Sequence, residues 1–258
     1  MSYLLAIDVG NTQTSIGVFE ENKLFEHWRV STNKEETADE IGLTVLNLFK
    51  MKDIKAKEID GVVISSVVPH CTISLNEMVQ KYFSLVPLIV NPGIKTGISI
   101  LYDNPREIGA DRIANATAAL KLYGAPIIIV DFGTATTFDV ISSKGDYIGG
   151  IITPGVEISA EALFEQAAKL ARVELVAPEK YIGKNTKSSL QAGIIFGTVG
   201  MVDYLVNQIS KELRKKPKVI ATGGLGELII SYSDTIEEYN QDLTLIGLKI
   251  IYKKNLKS

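Results

Sequence analysis

Asp8-Val9-Gly10-Asn11-Thr12 and Asp131-Phe132-Gly133-Thr134 place a carboxylate, a glycine and a hydroxyl in the same order, each directly after an apolar run. Gln13, Thr14 and Ser15 lead out of the first stretch, and Ala135, Thr136 and Thr137 out of the second. A carboxylate at a strand end is held rigidly, and a following glycine lets backbone N–H groups come close to a phosphate. The hydroxyls add donors for phosphate oxygens. Because a carboxylate repels phosphate, each turn calls for a bridging cation, and Mg²⁺ held partly through water meets that need. The plainer reading of either turn alone is a polar connection between two strands.

Gly109-Ala110-Asp111-Arg112 opens a stretch of helical spacing after a proline-bearing loop. Early helical N–H groups are unsatisfied and attract anions, and Arg112 can grip a carboxylate or phosphate with two prongs. Asp111 can serve as a base there, or simply stabilise the positive end of the helix dipole. Thr222-Gly223-Gly224 after a strand suits a backbone passing close to a ligand. Asn185-Thr186 reads equally as a helix cap. His27 and His70 have no partners at metal spacing, and Cys71 beside His70 is a poor candidate nucleophile. No GxxxxGK[ST] run occurs, and Gly10 is followed by a strand and not a helix, which excludes P-loop and dinucleotide-binding folds.

These residues need elements to hold them. Apolar runs at 4–7, 15–19 and 24–30 with short connections predict an antiparallel meander. Helical spacing follows over 33–50, a strand over 61–68, a helix over 73–82 and a strand over 88–90. The helix after Pro105 runs to Tyr123, where Gly124 stops it. At 127 the opening pattern returns, with a further strand at 147–152. Helices are expected at 158–170 and 188–213, where Gly193, Gly197 and Gly200 mark close packing or a bend. A strand at 218–221, a helix from about Leu225 and a closing helix at 243–252 complete the pattern, followed by a basic solvated tail. The repeated order of strand, acidic turn and strand predicts two duplicated α/β lobes, 1–115 and 116–258, with both acidic turns at one interlobe cleft.

Composition narrows the class. Hydrophobic residues make up 46% and charged residues 22%, which excludes a disordered chain. A formal charge of −3 gives no global attraction to nucleic acid or anionic lipid. The single cysteine forms no internal disulfide, and the start of the chain has no basic n-region, with Asp8 interrupting its apolar run. No continuous run of about 18 apolar residues is present. The expectation is a cytoplasmic protein without nucleic-acid or membrane partners.

LLAIDVGNTQTSIGVF, YDNPREIGADRIANA, IIIVDFGTATTFDV and GKNTKSSLQAGIIFG, in this order, resemble the type III pantothenate kinases of the acetate and sugar kinase, Hsp70 and actin superfamily. The resemblance implies duplicated ribonuclease-H-like (actin-like ATPase) domains, with mixed sheets flanked by helices. It also implies ATP-dependent phosphorylation of the 4′-hydroxyl of pantothenate in a homodimer. Asp8, Val9, Gly10, Asn11, Thr12, Gln13, Thr14 and Ser15 match the family's first phosphate-binding loop, with Asp8 organising Mg²⁺ and phosphate. Gly109, Ala110, Asp111 and Arg112 match the pantothenate-binding stretch, with Asp111 as the proton acceptor. Tyr102 and Thr186 match further pantothenate contacts, the latter near the subunit boundary. Asp131 matches the ligand of a monovalent cation, K⁺ or NH₄⁺, and Thr134 a contact to ATP. Thr222-Gly223-Gly224 falls where the second nucleotide loop passes adenosine. The residues alone suggest similar metal roles for Asp8 and Asp131; the resemblance assigns them different cations.

Two rival readings remain at this stage. The same family includes members first described as accessory factors for virulence-gene transcription, which would make the chain an interaction protein. Against that stand Asp8, Asp111 and Asp131, and the lack of a DNA-binding motif. The other rival is a kinase for a different small hydroxyl-bearing acid.

Overall fold

The computed structural model describes residues 2–167 and 170–256. The chain forms two compact units, the first built from residues 1–97, 103–118 and 243–258 and the second from 98–102 and 119–242. In the first, β1 (Tyr3–Val9), β2 (Gln13–Glu20), β3 (Lys23–Ser31), β4 (Ile59–Ser66) and β5 (Leu88–Ile89) make a sheet in the order β3-β2-β1-β4-β5. The first three strands are the expected antiparallel meander, and β4 and β5 join parallel. Tyr3, Leu5, Ile7 and Val9 alternate onto one face, where they share a core with Val45 and Phe49 of α1 (Ala38–Lys50) and Leu75 and Met78 of α2 (Pro69–Phe83). α1 starts later than its spacing predicts because Thr37 caps it, donating its own N–H to Glu40 Oε2 at 2.8 Å and accepting from Glu40 N–H. α2 starts earlier, since Pro69 fits the first turn, where no N–H is needed. The N-terminal part of α3 (Ala110–Tyr123) also belongs to this unit.

The second unit repeats the plan. β6 (Ser99–Ile100), β7 (Ile127–Phe132), β8 (Ala135–Ile141), β9 (Asp146–Pro154), β10 (Lys218–Gly223) and β11 (Glu238–Tyr239) form a sheet in the order β11-β10-β7-β8-β9-β6. β7, β8 and β9 pair antiparallel as β1, β2 and β3 do, and β10 and β11 join parallel as β4 and β5 do. The duplication read from two acidic turns therefore extends over five strands, with β6 added at one edge. α4 (Val156–Gln166), α5 (Thr186–Leu213) and α6 (Gly226–Ile230) accompany this sheet, and Ile195, Val199, Val202 and Val206 of α5 share its core with Ile128, Val130 and Phe138.

Several expectations change. The helix expected to reach Leu170 ends at Gln166, and residues 168–169 lie outside the described residues, as do 257–258 of the basic tail. α5 runs unbroken for 28 residues, and among the described residues no neighbour stands within 4 Å of a Cβ added at Gly193, Gly197 or Gly200, so these glycines serve no close packing with them. α5 is the one helix among the described residues long and apolar enough to cross a membrane by length and composition, with a third of that window buried inside the protein. The division expected after residue 115 follows chain order, whereas contacts divide α3 after Ala118 and return α7 (Leu243–Leu256) to the first unit. There α7 covers the second face of the N-terminal sheet. A Cβ at Gly17 would lie 2.9 Å from Leu245, one at Gly61 would overlap Tyr252, and one at Gly247 would overlap the Ala114 carbonyl of α3.

Candidate functional site

Asp8 stands one residue before the end of β1, level with Ser15 on β2 and Ser65 on β4. Residues level in a ladder point to the same face, so the carboxylate has a hydroxyl-bearing neighbour on each side. The turn after it is tightly held. Gly10 N–H donates to Gln13 O at 3.0 Å, while Thr32 donates from its hydroxyl to Gly10 O and from its N–H to Thr12 O, both at 2.9 Å. Thr14 Oγ1 lies 2.9 Å from Thr32 Oγ1, so its hydroxyl pins the turn to β3. Asn11, Thr12 and Gln13 form the exposed tip.

α3 begins close by in the same unit. Gly109 O accepts from Ile113 N–H at 3.2 Å, and a Cβ at Gly109 would lie 3.6 Å from Val67, whose N–H donates to Val9 O at 3.0 Å. Asp8 and the start of α3 thus share one end of the sheet. The Asp111 carboxylate folds back over Gly109, and its Oδ1 accepts from Arg112 N–H at 2.8 Å. Burial pushes this carboxyl above its ordinary value, outweighing the opposite pull of the Arg112 N–H and guanidinium. A carboxyl raised in this way is a stronger proton acceptor than an exposed one. Arg112 is buried beside it in the chain, and Asn115, one turn on, accepts from Thr244 Oγ1 of α7 at 2.7 Å.

In the second unit Asp131 is level with Thr137 on β8 and Thr222 on β10, the same flanking by hydroxyl residues that Asp8 has. Thr137 Oγ1 is buried with no partner among the described residues. Gly223, at φ +88°, lets the backbone pass so near that a Cβ would lie 2.6 Å from Asp131 Oδ1 and 2.6 Å from Phe132 O. Gly224 N–H donates to Phe132 O at 3.1 Å, and Tyr239 OH to Gly223 O at 2.8 Å. On the other side a Cβ at Gly155 would lie 2.6 Å from Gly133 O and overlap Thr134 O. The loop expected at Thr222-Gly223-Gly224 is therefore packed directly on the Asp131 turn.

The remaining expected residues lie elsewhere in the second unit. Tyr102 follows β6, which Leu101 N–H extends by donating to Tyr147 O at 2.8 Å, and its ring centroid is 6.3 Å from that of Tyr147. The Tyr147 hydroxyl donates to the buried Asp139 carboxylate at 2.6 Å. Thr186 is the first residue of α5 and is exposed beside an open hollow of about 530 Å³ lined also by Lys184, Asn185 and Ser189. Asn185 does cap this helix, accepting from Ser188 N–H at 2.9 Å. Cys71 is buried, and burial raises its thiol, which leaves it a poor nucleophile.

Carboxylate, hydroxyl and carbonyl oxygens around Asp8 and Asp131 suit hard cations. No group of three His, Cys, Asp or Glu stands together among the described residues, so a divalent ion at Asp8 would draw most of its shell from water and phosphate. Sequence reasoning found both carboxylates but missed Ser65, because its relation to Asp8 exists only through the register of β4.

Residues 4–208 match the family model described as type III pantothenate kinase. A type III pantothenate kinase of Halalkalibacterium halodurans is 51% identical over 253 residues, covering 98% of this chain and 100% of that protein. A solved structure from Campylobacter jejuni, described as a Baf family transcriptional activator, is similar with a TM-score of 0.61 at 21% identity, over 98% of this chain and 100% of that one. Component A of (R)-2-hydroxyglutaryl-CoA dehydratase from Acidaminococcus fermentans gives 0.55 at 12%, over 100% of both chains. At such identities the two structures speak for the fold alone.

Proposed function

The chain belongs to the type III pantothenate kinases, and from that premise we propose that it transfers the γ-phosphoryl group of ATP to the 4′-hydroxyl of pantothenate, with Asp111 as the general base. The observation that carries this assignment of the base is the Asp111 carboxyl, raised by burial and placed at the same end of one sheet as the Asp8 turn. Asp111 takes the hydroxyl proton as the oxygen attacks phosphorus. Arg112 and the early N–H groups of α3 hold the pantothenate carboxylate, and Tyr102 and Thr186 complete its contacts. The backbone of the turn from Gly10 to Thr12 holds the phosphates, and Thr134 is a contact to ATP. Asp8, Ser15 and the nearby hydroxyls would hold Mg²⁺, which neutralises charge on the phosphates during transfer. Asp131, between Thr137 and Thr222, would hold K⁺ or NH₄⁺.

The same reading makes the protein a cytoplasmic homodimer that meets its partner copy through the open glycine face of α5. Incubating the protein with ATP, Mg²⁺, K⁺ and pantothenate and weighing the product by mass spectrometry tests the reaction. A phosphorylated product with pantothenate, and none with other small hydroxy acids, is the expected result. Phosphorylation of a different acid alone would overturn the choice of substrate.

A further inference from the structure

We propose that Ser65 donates a hydrogen bond into the cation–phosphate group held at Asp8, and so is a further binding residue of the kinase site; this rests on the reading of Asp8 given above. Ser65 and Ser66 are neighbours at the end of β4, yet the structure uses them differently. Ser66 Oγ donates to Val68 O at 2.9 Å and accepts from Val68 N–H at 3.1 Å, which shapes the turn into α2. Ser65 has 0% exposure, and its Oγ has no hydrogen-bond partner among the described residues. Successive residues of a strand face opposite ways, so Ser66 points away from the face that Ser65 shares with Asp8.

A buried hydroxyl without a partner carries a desolvation penalty that an alanine would avoid. A ligand that supplies an acceptor at this point removes that penalty. Strands stand about 4.8 Å apart, so a side chain level with Asp8 on the adjoining strand reaches the same bound group. The second unit repeats the placement with a different residue type. Thr222, buried on β10, is level with Asp131 one residue before the end of both strands, as Ser65 is with Asp8. The paired positions further down these strands are apolar, Val63 against Ala6 and Ile220 against Ile129. A hydroxyl therefore recurs where a carboxylate ends the central strand, and not along the ladder generally.

The test compares the full-length protein with Ser65→Ala and Asp8→Asn. Each is melted without ligand and titrated calorimetrically with a non-hydrolysable ATP analogue in Mg²⁺. Ser65→Ala should melt at or above the parent temperature and bind the Mg²⁺–nucleotide about tenfold more weakly, the size of effect for a lost hydrogen bond to a charged group. Affinity within twofold of the parent, with Asp8→Asn clearly impaired, would overturn the role of Ser65 and leave Asp8 standing. A melting temperature well below the parent would also overturn it, by making the hydroxyl structural. Unchanged affinity in both variants would overturn the reading of Asp8 and this proposal with it.

Discussion

Asp111 is the residue at which a helix-stabilising role and a catalytic one give opposite signs. As a plain partner of the helix dipole, its replacement by asparagine would cost about 0.3–1 kcal/mol and leave turnover intact. As the base, Asp111→Asn should lower kcat by about 10²- to 10⁴-fold, with ATP affinity by calorimetry unchanged. The raised carboxyl sets the pH behaviour as well. Activity requires the ionised form, so kcat/KM should fall on the acid side at a pH above the usual carboxylate range. Stability moves the other way. An acid whose folded value lies above its unfolded one binds its proton more tightly in the native state, so its contribution is present at low pH and lost as pH rises through the folded value. Melting curves of parent and Asp111→Asn should therefore diverge in favour of the variant as pH rises above the ordinary aspartate value of about 4. A variant that is less stable at neutral pH would return Asp111 to its structural role.

Elements with a strong period are legible in the sequence: the meander, the helices and the repeated strand-turn-strand are all present, while caps such as Thr37 and Pro69 set ends that the period does not. What was not legible had no period to read. β6 and β11 have two residues each, and pairing alone makes them strands. The contact of Thr14 with Thr32, just past the end of β3, was hidden too, because it depends on how the meander folds back. The seat of α7 was equally hidden, since it depends on Gly17, Gly61 and Gly247 meeting side chains and backbone from distant parts of the chain. Gly247→Ala should destabilise the protein by about 1–3 kcal/mol in denaturant unfolding, because the added methyl meets the Ala114 backbone and not a flexible side chain. Gly197→Ala offers the contrast. In a separated protomer its methyl meets nothing, and better helix propensity should stabilise α5 by roughly 0.5–1 kcal/mol.

At the scale of the whole molecule, the same glycine face tests assembly. Light scattering should report about twice the 28.1 kDa of one chain, and Gly197→Glu should reduce that mass and the activity together. A parent protein already at the mass of one chain would count against the dimer. The monovalent cation is the other global variable. Exchanging K⁺ for Na⁺ at constant ionic strength should lower parent turnover sharply and change little in Asp131→Ala, already poor in both, a pattern that general screening cannot produce. The return of α7 to the first unit bears on how the molecule is made. Residues 119–242 must be synthesised before α7 appears. At about 5–20 residues per second, that delay is on the order of ten seconds. Throughout it the N-terminal sheet leaves the ribosome with one face packed and the other bare. The half of the protein that is translated first is thus completed last, and a chain broken just ahead of Leu243 is damaged at its opening strands.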